Sequence, residues 1–480
     1  MPATTTDDPY ATAAEPDVPA PARPHAGGLR PRVTLLYHPD LARVGETFEG
    51  WCDDPSPVTF GRQTPCFVGP DRAQPLDDRF ISRAQLVARW NGVRGSFEVA
   101  PCPEARLPLS VLSLDDGSAR AVTGTVTLAP RSAVAIGRRA VLWFDALPRE
   151  AVEADSLGLV GHSAAMATLR ARVETVARFR ESALLLGETG VGKELVARAL
   201  HARSGATGAV VALNMGALDE GTAASELFGH VRGAFTGAHQ SRVGAFEAAR
   251  DGTLFLDEIG DVAPEIQKKL LRVLEDRRFS PVGGHQAHPL TCRVVAATHS
   301  ALRAEVDAGQ FRRDLFERLQ ALTVAVPPLR ARREDVPGLF AHFLDDLSAR
   351  HAELGPWWRG VNAEGVAKVP FDFVVALMRH AWPGNVRELR NVATSTAAAT
   401  LANRVFTPGE MAAPLPTPKS DERVVIPSQE ALEAALEAAQ GNVRVTAERL
   451  GCSRNQLYRW MEARGVDPAR HRPAEGPGRR

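Results

Sequence analysis

Few features of this 480-residue sequence point to a metal centre, a membrane or an oxidising compartment. Its five cysteines, Cys52, Cys66, Cys102, Cys292 and Cys452, lack the paired spacing of metal ligands, and an odd, scattered set fits reduced thiols. No apolar run is long enough to span a bilayer, and the N-terminus carries acidic residues and prolines where an export signal has a basic start and an apolar stretch. The expectation is a soluble, cytoplasmic protein without a membrane partner. There is no excess charge of either sign, since 57 basic residues balance 57 acidic ones, so any contact with nucleic acid must come from a local patch. No internal repeat is present, nor the pattern of a two-component receiver domain.

Composition shifts divide what is there. Residues 1–30, rich in Ala, Pro, Thr and Asp, hold too little apolar surface to offset ordering and read as a disordered arm. Over 31–148, short segments such as Val33-Thr34-Leu35-Leu36-Tyr37 and Val141-Leu142-Trp143-Phe144 alternate with Gly, Pro and Asp turns, the pattern of an all-β sandwich. Over 157–405, strands alternate with long helical patterns, as in a parallel α/β sheet, with a helical lid from about 335 to 405. A Pro-rich linker (406–424), a small all-α module (425–467) and a polar tail (468–480) complete the chain.

The central region carries the chemistry. An apolar strand, Ala183-Leu184-Leu185-Leu186, runs into Gly187-Glu188-Thr189-Gly190-Val191-Gly192-Lys193-Glu194 and then a helix. Glycines there let successive backbone N–H groups face phosphates, and Lys193 adds a point charge. Downstream, the buried-strand pattern Thr253-Leu254-Phe255-Leu256 ends in Asp257-Glu258. Between the two motifs, the hexapeptide Gly233-Ala234-Phe235-Thr236-Gly237-Ala238 frames a Phe-Thr pair with glycines, the composition of a presented loop tip.

This arrangement resembles the AAA+ activators of sigma-54 RNA polymerase, the bacterial enhancer-binding proteins. Glu194, where most phosphate loops have Ser or Thr, matches that family's Gly-Lys-Glu. The resemblance implies ATP held by residues 187–194, Mg2+ resting on Asp257 and the phosphates, and Glu258 polarising the attacking water. It implies that Asn214, at a strand end, restrains that glutamate, although Asn also suits a plain turn there. Arg312 and Arg318 match arginines presented to the neighbouring subunit's nucleotide, or else form a solvated helix face. Arg387, in Trp382-Pro383-Gly384-Asn385-Val386-Arg387, matches the lid's second sensor. The first-sensor strand ends Thr298-His299 where the family usually has Asn in the last place, which leaves Thr298 as the sensor. Arginines acting in trans require a homo-oligomer, from dimer to hexamer by resemblance, and residues 233–238 would touch sigma-54.

The C-terminal module has helix-turn-helix grammar. Asn442 and Ser453 are placed as N-caps, and the last helix offers Arg454, Asn455, Gln456, Tyr458 and Arg459 to DNA while Leu457 and Trp460 face inward. It resembles the Fis-type domain that ends most such activators and would bind upstream enhancer DNA; a dimerising helical hairpin is the alternative. The N-terminal sandwich resembles the forkhead-associated (FHA) domain. Arg62, Ser82 and Arg83 match positions that hold a phosphothreonine protein, while Gln85 replaces a structural His and Asn91-Gly92 reads as a hairpin turn. The alternative is a sandwich kept for contacts with other domains. For the whole chain the expectation is an ATP hydrolase that remodels the sigma-54 closed complex. The alternative is another AAA+ protein-remodelling ATPase with a phosphopeptide sensor.

Overall fold

The computed structural model describes residues 29–52, 56–69, 72–148, 157–218, 220–235, 238–299, 302–362, 367–409, 411 and 429–439, then single positions up to Val466. The chain divides into two units, 1–412 and 413–480. Among the described residues no helix is long and apolar enough to cross a membrane.

The first unit begins with a sandwich of an eight-stranded and a four-stranded antiparallel sheet. Its long central strands, Leu29–Tyr37 and Ala140–Pro148, pair antiparallel and are buried almost throughout. The reason is visible in the alternation. Val33, Leu35, Leu142 and Phe144 point into the sandwich core, whereas Leu36, Tyr37, Val141 and Trp143 belong to a second core shared with helices near the other end of the unit. Strand Ser132–Ile136 divides the same way, with Val134 and Ile136 inside and Ala133 and Ala135 outside. Antiparallel sheets commonly leave one face to water, so unbroken apolar strands require a second cover.

That cover is the helical lid, built from Val336–Arg350, Phe371–Arg379 and Asn385–Asn403. The Tyr37 hydroxyl donates to the carbonyl of Val369 at 3.0 Å, and its ring meets Phe371 edge-on at 5.3 Å between centroids. Arg138 pairs with Asp372 at the rim. The sandwich is therefore an inter-domain contact module, whatever else it does.

Between sandwich and lid in sequence comes a parallel sheet in the order Val210–Asn214, Thr253–Asp257, Arg293–Thr298, Ala183–Leu186, Leu322–Ala325. Leu184, Leu254, Leu256 and Val294 pack on one face, and Ala183, Leu185, Phe255 and Val295 on the other, as a sheet covered by helices on both sides demands. The register sets Leu186 beside Thr298 and Asn214 beside Asp257, so four candidate segments leave the sheet at one edge, the carboxyl ends of its strands. Open α/β sheets bind ligands at that edge.

In the second unit, helix Gln429–Ala438 contributes Leu432 and Leu436 to a small core with Ala447, Leu457 and Met461. Trp460 is partly buried against it and Tyr458 is exposed, so the inward stripe expected from sequence is present. Arg454, Asn455, Gln456 and Arg459 lie outside the described residues.

Candidate functional site

The strand Ala183–Leu186 delivers the glycine-rich loop, and helix Lys193–Arg203 carries it away. Gly190 and Gly192 hold left-handed backbone conformations, with φ of 80° and 104°. Gly190 has a second reason to be glycine: a Cβ there would stand 2.5 Å from the Gly384 carbonyl and 3.1 Å from the Arg387 Cβ. The lid thus rests on the loop, and the Arg387 N–H donates to the Gly190 carbonyl at 3.3 Å.

A cavity of about 540 Å³ opens there, lined among others by Gly190, Val191, Gly192, Lys193, Glu194, Asp257, Glu258 and Arg387. One end is polar, as a triphosphate requires. The other is walled by Leu159, Val160, Leu339 and Phe343, a surface suited to a flat base. The Lys193 ammonium donates to the carbonyls of Gly187 (2.7 Å) and Glu188 (3.2 Å). Burial lowers its pKa, opposed by the carboxylates of Asp257 and Glu258. Asp257 is shifted the other way, raised by burial and held down by Lys193. A cation and two acids are therefore collected in one half-buried place, the pattern of a site that handles charge.

Glu258 has the left-handed geometry φ 55°, ψ 48°, which a non-glycine residue adopts only when its surroundings impose it. Its carboxylate converges with Asn214 on Gly216, where an added Cβ would stand 2.7 Å from Glu258 Oε2 and 3.5 Å from Asn214 Oδ1. Asn214 Oδ1 accepts from the Ala217 N–H at 3.1 Å and caps the turn Met215–Ala217, so the turn-forming reading of this residue is realised beside the glutamate. Gly216 was not legible as a site residue, because nothing local to it marks the contact.

At the first sensor the expectation needs correcting. Thr298 is buried and spends its hydroxyl on the His299 carbonyl at 3.0 Å, while His299 lines the cavity. His299, not Thr298, is the residue placed to meet a nucleotide.

Other expected site residues lie apart from the cavity. Arg312 pairs with Asp314 at 2.6 Å at the start of helix Arg313–Leu319, and Arg318 is exposed near its end. Neither lines this chain's own nucleotide cavity. The two ends of the 233–238 segment meet, since the Gly233 N–H donates to the Ala238 carbonyl at 2.8 Å. Gly233 is left-handed (φ 82°), and Phe235 is 45% exposed against the His230 ring. Val231 and Val282 join the base of this loop to a second one, where Gly283 packs under Ala234. Thr236 and Gly237 lie outside the described residues.

On the sandwich, Gly61 brings two loops together, because a Cβ there would stand 1.8 Å from the Arg83 carbonyl. Arg62 donates its N–H to the Ser82 carbonyl at 2.9 Å, so Arg62, Ser82 and Arg83 are neighbours. The Ser82 hydroxyl already donates to the Glu104 carbonyl and accepts from the Arg106 N–H, which makes it a brace for the 104–106 turn. Gln85 accepts from the Ser82 N–H and donates to the Leu107 carbonyl, bracing the same loops from a fully buried position. Asn91-Gly92 is a hairpin turn, as expected.

With this geometry in place, comparison with known proteins is direct. Residues 159–325 match the sigma-54 interaction domain, 330–423 the AAA+ ATPase lid domain and 428–463 the bacterial regulatory protein Fis family. The transcriptional regulatory protein ZraR of Escherichia coli (strain K12) is 41% identical over 315 residues, 64% of this chain and 69% of that one. The C4-dicarboxylate transport transcriptional regulatory protein DctD of Rhizobium meliloti (strain 1021) is 42% identical over 337 residues, 69% of this chain and 70% of that one. The DNA-binding transcriptional regulator NtrC of Klebsiella pneumoniae is 46% identical over 246 residues, 51% of this chain and 50% of that one. A phosphate-binding ATPase site, a sigma-54 interaction domain and a Fis-type module on one chain leave no room for an unrelated remodelling ATPase: the chain belongs to the family of sigma-54-dependent transcriptional activators, AAA+ ATPases that act on sigma-54 polymerase.

Proposed function

We propose that this activator works in the cytoplasm as a ring of identical copies, up to a hexamer, in which Arg312 and Arg318 of one copy complete the nucleotide site of the next. The observation that carries this reading is the separation of those arginines from the cavity that holds Lys193, Asp257, Glu258 and Arg387. ATP lies with its phosphates on residues 187–194. Lys193 and Arg387 balance phosphate charge, and Glu258 orients the attacking water and draws on its proton as the terminal phosphorus–oxygen bond breaks. Asp257, half-buried in the cavity beside Lys193, would hold magnesium together with the phosphates, as the family resemblance implies, while Glu194, at the usual hydroxyl ligand position, pairs with Arg198 at 2.7 Å. The ion supplies electrostatic stabilisation of the transferred phosphoryl group.

Turnover drives the 233–238 loops against sigma-54 and opens the promoter complex. Arg454, Asn455, Gln456, Tyr458 and Arg459 bring the ring to upstream DNA. The test is complementation. Lys193→Ala copies and Arg318→Ala copies should each be nearly inactive, and a mixture should regain ATP turnover, because one copy supplies the arginine and the other the nucleotide. A mixture as inactive as its parts removes the arginine from its role in trans.

The control input we assign to the sandwich is a phosphothreonine protein. Arg62 and Arg83, on loops pressed together at Gly61, offer guanidinium groups for charge-assisted hydrogen bonds to a phosphate, with Ser82 fixing the loop beneath them. A phosphothreonine peptide should bind the full chain, its unphosphorylated twin should not, and Arg62→Ala should abolish the difference. A peptide library without any phosphate-dependent binder would leave the sandwich with its lid contact alone.

A further inference from the structure

The segment Leu329–Asp335 joins the last strand of the nucleotide-binding sheet to the first lid helix; Asp335 anchors its end by accepting from the His162 and Ser163 N–H groups, and the residues before it meet two further neighbours. One neighbour is the phosphate loop. Arg330 makes two hydrogen bonds to the Glu188 carboxylate, at 2.7 and 2.5 Å. Arg332, buried, donates to the Val191 carbonyl at 3.4 Å. The Leu329 N–H donates to Asn385 Oδ1, and the Asn385 amide donates in turn to Glu188 and to the Thr189 carbonyl. Loop, connector and lid are thus tied into one hydrogen-bonded clamp.

The other neighbour is the sandwich. Arg131 donates to the Ala331 carbonyl at 2.9 Å and stands 3.6 Å from the Glu334 carboxylate. Arg333 donates to the Leu114 carbonyl at 2.9 Å and to Asp115 at 2.8 Å. Contacts to loop and sandwich alternate along the segment, and the backbone leaves helical geometry at Arg332, in the middle of that alternation. Glu334 is itself buried, and burial together with the neighbouring Asp335 pushes its pKa up to about 7 against the attraction of Arg131.

We propose that Leu329–Asp335 is a coupling element through which docking of the β-sandwich sets the affinity of the phosphate loop for ATP. A docked sandwich holds the connector where Arg330 and Arg332 brace the loop. A released sandwich lets the connector relax, the brace loosens and ATP binds more weakly. By linkage, bound nucleotide favours the docked sandwich by the same factor. The coupling lies within a single chain, so it stands apart from ring assembly and from the choice of ligand for the sandwich.

The experiment measures binding of a fluorescent ATP analogue to the full chain. Arg131→Ala with Arg333→Ala removes the sandwich's hold on the connector and leaves the loop's own residues intact. It should weaken binding by about 5-fold, the lower end of common coupling factors. Arg138→Ala loosens the same seam at Asp372, away from the connector, and should change affinity much less. Arg330→Ala should weaken binding by itself, and in that background the Arg131/Arg333 substitutions should add less than they cost alone, since only the Arg332 brace remains to be loosened, whereas general destabilisation would add in full. Unchanged or tighter binding in the Arg131/Arg333 variant overturns the proposal. So does an equal effect of Arg138→Ala, or effects that multiply when Arg330 is absent.

Discussion

Lys193→Ala should bind no measurable ATP, and Glu258→Ala should bind it at least as tightly as wild type while hydrolysing it at least about 100-fold more slowly, the lower bound for loss of a positioned general base. The two outcomes differ because the two side chains do different work in one cavity. Lys193 is a half-buried ammonium whose present partners are the loop's own carbonyls at 2.7 and 3.2 Å, so a phosphate that displaces them meets a cation already in place. Glu258 makes no contribution of that kind, since a carboxylate beside a polyphosphate repels it. Its strained backbone instead holds the acid where water must be oriented. Equilibrium binding and single-turnover hydrolysis on the same preparations separate the effects. Turnover near wild type in Glu258→Ala would remove that residue from its role.

Thr236→Ala and Phe235→Ala should keep ATP turnover within about 2-fold and lose activated transcription by about 30-fold or more, the loss expected when a binding contact worth about 2 kcal/mol is deleted. The argument is geometric. The loop is closed at its base by the Gly233–Ala238 hydrogen bond and supported by the neighbouring loop at Val282 and Gly283, so its frame does not depend on the tip side chains. None of the described residues of this loop, 233–235 and 238, lines the nucleotide cavity. Phe235 is exposed at 45% on a loop closed at its base, so its truncation removes surface without disturbing the engine. Transcription from a sigma-54 promoter, measured beside ATPase rates, decides it. Activation unchanged in both variants would place the polymerase contact elsewhere.

The engine was legible because its parts are contiguous in sequence. Gly187 to Glu194 and Asp257-Glu258 each combine a strand ending with the side chains that matter, and the parallel register brings the two together without further information. Arg330 and Asn385 were not legible. Each acts on Glu188 from well over a hundred residues away, and an Arg in a basic run or an Asn in a turn has no local pattern that announces the contact. His299 was underrated for the opposite reason. The family's usual Asn makes a His at this place look like a departure, yet the fold sets His299 at the cavity and spends the Thr298 hydroxyl on the backbone. For the sandwich the sequence does carry a signal. Val33 to Tyr37 and Val141 to Phe144 are apolar at nearly every position, and in an antiparallel sheet that excludes a solvated outer face.

That double-sided burial bears on how the chain is divided. Leu36, Tyr37, Val141 and Trp143 share one core with Phe340, Phe373 and Trp382 of the lid, so a cut ahead of residue 157 would bare apolar surface on both pieces. Each large side chain returned to water costs about 1.5–3 kcal/mol, and several together rival the roughly 5–15 kcal/mol that holds a typical domain folded. The place where composition changes, close to residue 159 where the match to the sigma-54 interaction domain begins, is therefore not a boundary of folding. Descendants of this protein cannot trade the sandwich for another regulatory module unless the outward faces of Phe340, Phe373 and their neighbours are rewritten with it.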